Sequence, residues 1–151
     1  MTLRAAPAEN HLSRSTREID YEAMAIRILI VDDSTSFREV LRVLLEDHAD
    51  WDVCGEAADG VEGLEKNRLL KPDVIIMDQS MPRMSGTEAA QEILKEFPQA
   101  SILLLTLYLT KQLAEEARRI GIRGTFSKTA TGQVIGIIDQ LPLDGASRAS
   151  I

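Results

Sequence analysis

A doubly wound α/β fold, with a five-stranded parallel sheet and helices on both faces, is the architecture the sequence predicts. Three observations lead to it. Short runs of Ile, Leu and Val alternate along the chain with stretches whose apolar residues recur at helical spacing. Three of those runs stop on polar or charged residues, at Asp32, Asp78 and Thr106, and a shorter, more polar fifth strand ends in Lys128. No internal repeat or low-complexity tract competes with this alternation.

Residues 1–25 mix both charge signs with Ser, Thr and Ala and carry few large apolar residues. They read as a flexible leader or a marginal helix near residues 13–25, outside the core. From Ile26 the character changes. Ile28 to Val31 is a short apolar strand that ends in Asp32-Asp33, and Ser34 then offers an N-cap. Phe37, Val40, Leu41, Leu44 and Leu45 follow at helical spacing, with Arg38, Glu39, Arg42 and Glu46 assigned to the outer side.

Trp51 to Ala57 is a second, more polar strand suited to a sheet edge. Asp59-Gly60 turns the chain into a helix carrying Val61 and Leu64, and Lys71-Pro72 stops it. Val74 to Met77 is apolar without a break, as a strand buried on both faces is, and it ends in Asp78. After Gly86 a helix with Ala89, Ala90, Ile93, Leu94 and Phe97 runs to Pro98. Ile102 to Leu105 is a fourth strand ending in Thr106, and a helix with Leu113, Ala117 and Ile120 ends at Gly121. Arg123 to Ser127 is a fifth strand ending in Lys128, followed by a last helix weakened by Gly132 and Gly136. The domain is expected over residues 26–141, with a loose tail over 142–151. For this count of elements the flavodoxin-like strand order 2-1-3-4-5 is the natural one.

Composition narrows the function. At 151 residues there is room for one real core and little for a second. A formal net charge of -7 and a sequence pI near 4.9 argue against direct DNA binding, which needs a basic footprint. Cys54 is the single cysteine, so no internal disulfide forms, and it reads as a small packed hydrophobe. His11 and His48 stand apart from any zinc-type partner. With no apolar run of transmembrane length and no signal-peptide pattern, the expectation is a cytoplasmic protein without membrane contact.

In a parallel sheet the ends of strands 1, 3, 4 and 5 share one edge, so Asp32, Asp33, Asp78, Thr106 and Lys128 can converge there. Three carboxylates in one place repel, and a hard divalent cation such as Mg2+ is the obvious neutraliser. A Lys and a hydroxyl beside them can hold the oxygens of a tetrahedral anion. A carboxylate at the centre of such a site can act as the nucleophile in phosphoryl transfer.

VDDS at the first strand, IIMDQSMPRMSG at the third, LLLT at the fourth and GTFSK at the fifth resemble the receiver domains of two-component response regulators. The resemblance covers roughly Arg27 to Gln140, and VCGEAADGVEGLE is similar to a subgroup that often carries a helix-turn-helix output domain. It implies that Asp78 is the phosphoacceptor and that Asp33 binds Mg2+ directly, with Asp32 acting through water. It also implies that the Ser80 backbone carbonyl is a further metal ligand, that Thr106 bonds a phosphoryl oxygen, and that Lys128 pairs with the phosphate. The implied partners are a histidine kinase or phosphotransferase and a downstream protein reached through surface contacts. The weak last helix, which can rearrange around Val134, Ile135, Ile137 and Ile138, makes the surface from Thr110 through Gln140 the expected docking region.

Three positions depart from the family pattern. Leu107 replaces a small residue, Thr125 stands where an aromatic is usual, with Phe126 one place later, and Thr129 replaces a proline. These bear on the switching machinery, and they leave open a scaffold that binds a partner without being phosphorylated. The receiver half of a longer DNA-binding regulator also remains open. An aspartate-nucleophile phosphatase is disfavoured, since Ser34 stands where its D-x-D-x-T pattern has the second Asp.

Overall fold

The computed structural model describes residues 25–143. The expected leader and tail lie, apart from their innermost residues, outside the described residues. The strands are β1 (Ile26–Val31), β2 (Trp51–Ala57), β3 (Val74–Asp78), β4 (Ser101–Thr106) and β5 (Gly124–Ser127). The helices are α1 (Thr35–Glu46), α2 (Gly60–Leu70), α3 (Gly86–Glu96), α4 (Lys111–Ile120) and α5 (Thr131–Gln140). All pairings are parallel, in the order β2-β1-β3-β4-β5. The more polar β2 is an edge strand, and the fully buried β3 is central.

Strand alternation divides the core in two. Ile28, Ile30, Val74, Ile76, Leu103 and Leu105 face α1 and α5, where Leu41, Leu45, Val134 and Ile138 meet them. Leu29, Val31, Ile75, Met77, Ile102 and Leu104 face the other way, onto Ala89, Ala90 and Ile93 of α3 and Ala117 of α4. Cys54 is an irregularity in this pattern. The β1–β2 register jumps from Ile28↔Val53 to Leu29↔Gly55, which leaves Cys54 as the extra, half-buried residue.

The helix ends follow their capping residues. Ser34 accepts from Phe37 N, Asp59 from Glu62 N, and Thr110 from Leu113 N. Ser85 and Glu88 form a reciprocal capping box. The α5 helix has no side-chain cap, and its Gly132 and Gly136 face open space.

Two helices differ from expectation. On α1, Val40 is exposed while Arg38 turns inward. At about 100° per residue, Arg38 lies about 40° from the centre of the arc set by Leu41 and Leu45, and Val40 about 120°. The buried arc therefore includes a charged residue that apolar periodicity assigns outside. On α2 the buried positions are Gly60, Gly63 and Asn67, with Val61 and Leu64 only half-buried. A Cβ at Gly63 would sit 3.0 Å from Val31 Cγ1, so α2 approaches the sheet through its glycines.

Glycine is needed most at Gly86, where a Cβ would lie 2.3 Å from the backbone carbonyl oxygen of Asp78. Gly86→Ala is expected to destabilise the fold by about 1–3 kcal/mol, because that backbone cannot yield. Gly136→Ala, in open space within a helix, is expected to stabilise it by about 0.5–1 kcal/mol. Urea unfolding of the two variants measures both, and two shifts of the same sign would contradict this account of the packing.

Candidate functional site

The carboxyl ends of four adjacent strands bring their side chains to one place. Asp32 follows β1, Asp78 closes β3, Thr106 closes β4 and Lys128 follows β5. Asp32, Asp78 and Thr106 are buried, whereas Asp33 is exposed. Carboxylate oxygens of Asp32, Asp33 and Asp78 all lie within 4.8 Å of one another. Lys128 Nζ is 2.7 Å from Asp32 Oδ2 and 3.3 Å from Asp78 Oδ1, with its side chain 11% exposed. It also lies 4.6 Å above the centre of the Phe37 ring, a favourable cation–π contact.

Each acid is held by its local backbone. Asp32 Oδ1 accepts from Ser34 N at 2.8 Å, and Asp32 N donates to Ala57 O at 2.9 Å. Asp78 Oδ1 accepts from Ser80 N at 3.3 Å. Ser80 is thus brought to the acid by its amide, and no contact made by its carbonyl is seen among the described residues. Past Asp78, Gln79 N donates to Leu105 O and Gly86 N to Gln79 O, each at 2.9 Å, which ties the loop back onto the sheet. Thr106 Oγ1 accepts from Tyr108 N at 3.3 Å and is not bonded to either buried carboxylate.

The charges do not balance. Burial raises the Asp78 carboxyl, the neighbouring Asp32 raises it further, and Lys128 only partly opposes them, leaving it at about 6. Burial alone would lower the Lys128 ammonium, but Asp32 and then Asp78 outweigh it and hold it above the usual range.

A family model for the response regulator receiver domain matches residues 28–137. The chain belongs to the response regulator receiver domains. It is 38% identical over 100 residues to a chemotaxis protein CheY of Thermotoga maritima, covering 66% of this chain and 82% of that protein. It is 42% identical over 82 residues to a protein-glutamate methylesterase/protein-glutamine glutaminase of Pyrococcus abyssi, covering 54% of this chain and 22% of that protein. The chain therefore spans about a fifth of the length of such methylesterase relatives. Among solved structures, the response regulator domain of Thermotoga maritima CheB superposes with a TM-score of 0.72 at 31% identity, covering 77% of this chain and 95% of that one.

This receiver domain functions in two-component signalling, and its flavodoxin-like order matches the fold of those structures. Among the described residues no helix is long and apolar enough to cross a membrane. The donor set suits Mg2+: hard carboxylate oxygens close enough to share one ion, with exposed Asp33 leaving an open side for water. The under-neutralised Asp78 is the observation that calls for a cation there.

Two groups at the site escaped the sequence reading. Arg38, assigned to the outer face of α1, donates from NH1 to the Asp32 carbonyl at 2.5 Å and from Nε to Glu56 Oε1 at 2.9 Å. Phe37, read as a core residue, also floors Lys128. Its place three residues after the Ser34 cap was the available signal. The departures from the family pattern also have structural places. Thr129 N donates to Ser127 Oγ at 3.2 Å, a bond no proline makes. Phe126 packs on the α1–α5 side of the sheet, the face opposite to its neighbour Thr125. It cannot stand in for an aromatic at position 125. Leu107 is 65% exposed and Tyr108 83%, so the loop after Thr106 presents large side chains to solvent.

A carboxyl whose folded value lies above its unfolded one favours the fold at low pH, and that stability is lost as pH rises through about 6. Without divalent metal, Asp78→Asn is therefore expected to be more stable than the native chain at pH 7.5. The expected gain is on the order of 1–2 kcal/mol once solvent screening is allowed for. At pH 4 the two should match. Urea unfolding in chelator at the two pH values tests this, and a difference that does not change with pH would refute it.

Proposed function

We propose that Asp78 accepts a phosphoryl group from the phosphohistidine of a histidine kinase or phosphotransferase, with Mg2+ held by Asp33, Asp78 and the Ser80 carbonyl, and by Asp32 through water. The observation that carries this reading is a buried carboxylate, Asp78, within 4.8 Å of two others and 3.3 Å from a nearly buried ammonium. A bound Mg2+ would supply charge neutralisation for the incoming phosphoryl oxygens. Asp78 provides the attacking oxygen, and Lys128 the cation that a phosphoryl oxygen can claim. Burial of Asp78 keeps bulk water from the nucleophile.

Thr106 completes the anion site. Its oxygen accepts from the Tyr108 amide, and its own proton remains free to donate to a phosphoryl oxygen. A pull on Thr106 is thereby passed to the loop bearing Leu107 and Tyr108. That loop and the surface over residues 110–140 are the proposed docking region for a downstream protein. Because Phe126 faces away from Thr125, the route through β5 is weak. A scaffold that works without phosphorylation is favoured only by Leu107, Thr125 and Thr129.

Intact mass after incubation with Mg2+ and a small phosphodonor tests the reading directly. One phosphate adduct is expected on the native chain and none on Asp78→Asn, whereas an unlabelled native chain would support the scaffold. Calorimetric titration should show Asp33→Ala losing about tenfold or more in Mg2+ affinity, and more than Asp32→Ala does. Equal affinity for the native chain and Asp33→Ala would reject the direct ligand. On phosphorylation the amide resonances of Leu107 and Tyr108 should move further than those of Thr125 and Phe126. The reverse order would place the coupling in β5.

A further inference from the structure

Arg38 is a largely buried cation close in sequence to the acidic pair, yet its hydrogen bonds and ion pair among the described residues go to neither carboxylate of that pair. Its guanidinium forks between the Asp32 backbone carbonyl at 2.5 Å and Glu56 Oε1 at 2.9 Å, with a longer bond from NH2 to Thr35 Oγ1 at 3.4 Å. Glu56, near the carboxyl end of β2, is anchored in turn. Its Oε2 is 2.7 Å from Arg42 NH2, and its backbone carbonyl accepts from Lys66 Nζ of α2. Burial pushes the Glu56 carboxyl up, but Arg42 and Arg38 outweigh it and hold it below the usual range.

The consequence reaches Asp33 through the backbone. A peptide unit is planar, so fixing the Asp32 carbonyl fixes the plane that carries the Asp33 amide and Cα, the atom from which the Asp33 side chain departs. Asp33 needs such support, because its exposed carboxylate has no hydrogen bond or ion pair among the described residues. Asp32 has other restraints, in Ser34 N and Lys128 Nζ.

We infer that Arg38 is a positioning residue. Anchored on Glu56 and acting through the Asp32 carbonyl, it aims Asp33 and so sets the affinity of the acidic cluster for a divalent cation. This rests on the proposed reading of that cluster as the Mg2+ site. Charge alone predicts the opposite sign, since removing a cation beside an acidic cluster strengthens its hold on a dication. The direction of the change therefore separates positioning from field.

The experiment titrates Mg2+ into the full chain and three variants by calorimetry, with urea unfolding in parallel. Arg38→Met is expected to bind Mg2+ about tenfold more weakly, the lower end for outer-shell partners of metal ligands. Arg38→Lys should recover only part of this, since an ammonium lacks the planar fork that spans carbonyl and carboxylate. The pair Arg42→Gln/Glu56→Gln removes the anchor at constant net charge and should weaken binding in the same direction. Phosphoryl labelling of each variant should return to the native rate at saturating Mg2+. Unchanged or tighter binding in Arg38→Met overturns the inference, as does labelling that Mg2+ does not restore. Should Arg38→Met fail to fold, the charge-neutral pair decides by the same criterion. A native chain that binds no Mg2+ overturns the reading of the site and this inference with it, whereas native binding with unchanged variants overturns this inference alone.

Discussion

The carboxyl edge of the sheet depends on one ammonium among buried carboxylates. At an effective dielectric constant near 20, two unit charges about 4 Å apart interact by about 4 kcal/mol, so the spacing here matters. Lys128 answers Asp32 at 2.7 Å and Asp78 at 3.3 Å, but one positive charge cannot balance two buried acids and an exposed third. The imbalance appears as the raised Asp78 carboxyl, at about 6. The same imbalance makes the site receptive to a dication, the more so if a further anionic group is to enter. Phe37 contributes by holding the ammonium from below without adding another anion.

The fold's role is to keep these charges close at an edge where side chains alone would spread apart. The order β2-β1-β3-β4-β5 places the ends of β1 and β3 side by side and brings β5 within reach of both. Backbone contacts then fix the loops. Gly86 lets α3 begin against the Asp78 carbonyl, and Arg83, at φ 69°, returns to Asp59 at the start of α2 with 2.5 Å between NH2 and Oδ2. The left-handed backbone at Arg83 is unfavourable for a residue with a Cβ. The opposite extreme is α5, uncapped and with two glycines facing open space. Precision is concentrated at the chemical end of the first three crossovers, and the least supported helix is the last.

Most of this was legible in the sequence, for identifiable reasons. Unbroken apolar runs such as Val74 to Met77 announce doubly covered strands, and polar stops such as Asp78 and Thr106 mark their site ends. Ser34 and Gly121 marked helix ends because capping is a local property of single residues. What was lost were cases where burial and hydrophobicity part company. Arg38 buries its stem and satisfies its fork on acceptors that lie far from it in sequence or on the backbone, so no apolar period registers it. The inner face of α2 is glycine and Asn67, where the packing signal is an absence of side chain. The facing of Phe126 away from Thr125 follows from strand alternation alone, yet its meaning needed the register of β5 on β4.

The three acids are supported unequally. Asp32 and Asp78 are buried and each touches Lys128, so their positions are set by packing and charge together. Asp33 is the exception, exposed and held only through its own main chain. A ligand that must admit a hydrated ion from solvent has to lie at the open side, and openness removes the packing that would otherwise aim it. The remaining means of restraint is the peptide plane before it. That plane is where the one inward-turned cation of α1 delivers its shortest bond, at 2.5 Å to the Asp32 carbonyl. On the proposed reading of the acidic cluster as a metal site, the burial of Arg38 and the exposure of Asp33 are two sides of one requirement: an acid that is accessible to a metal and still points in one direction.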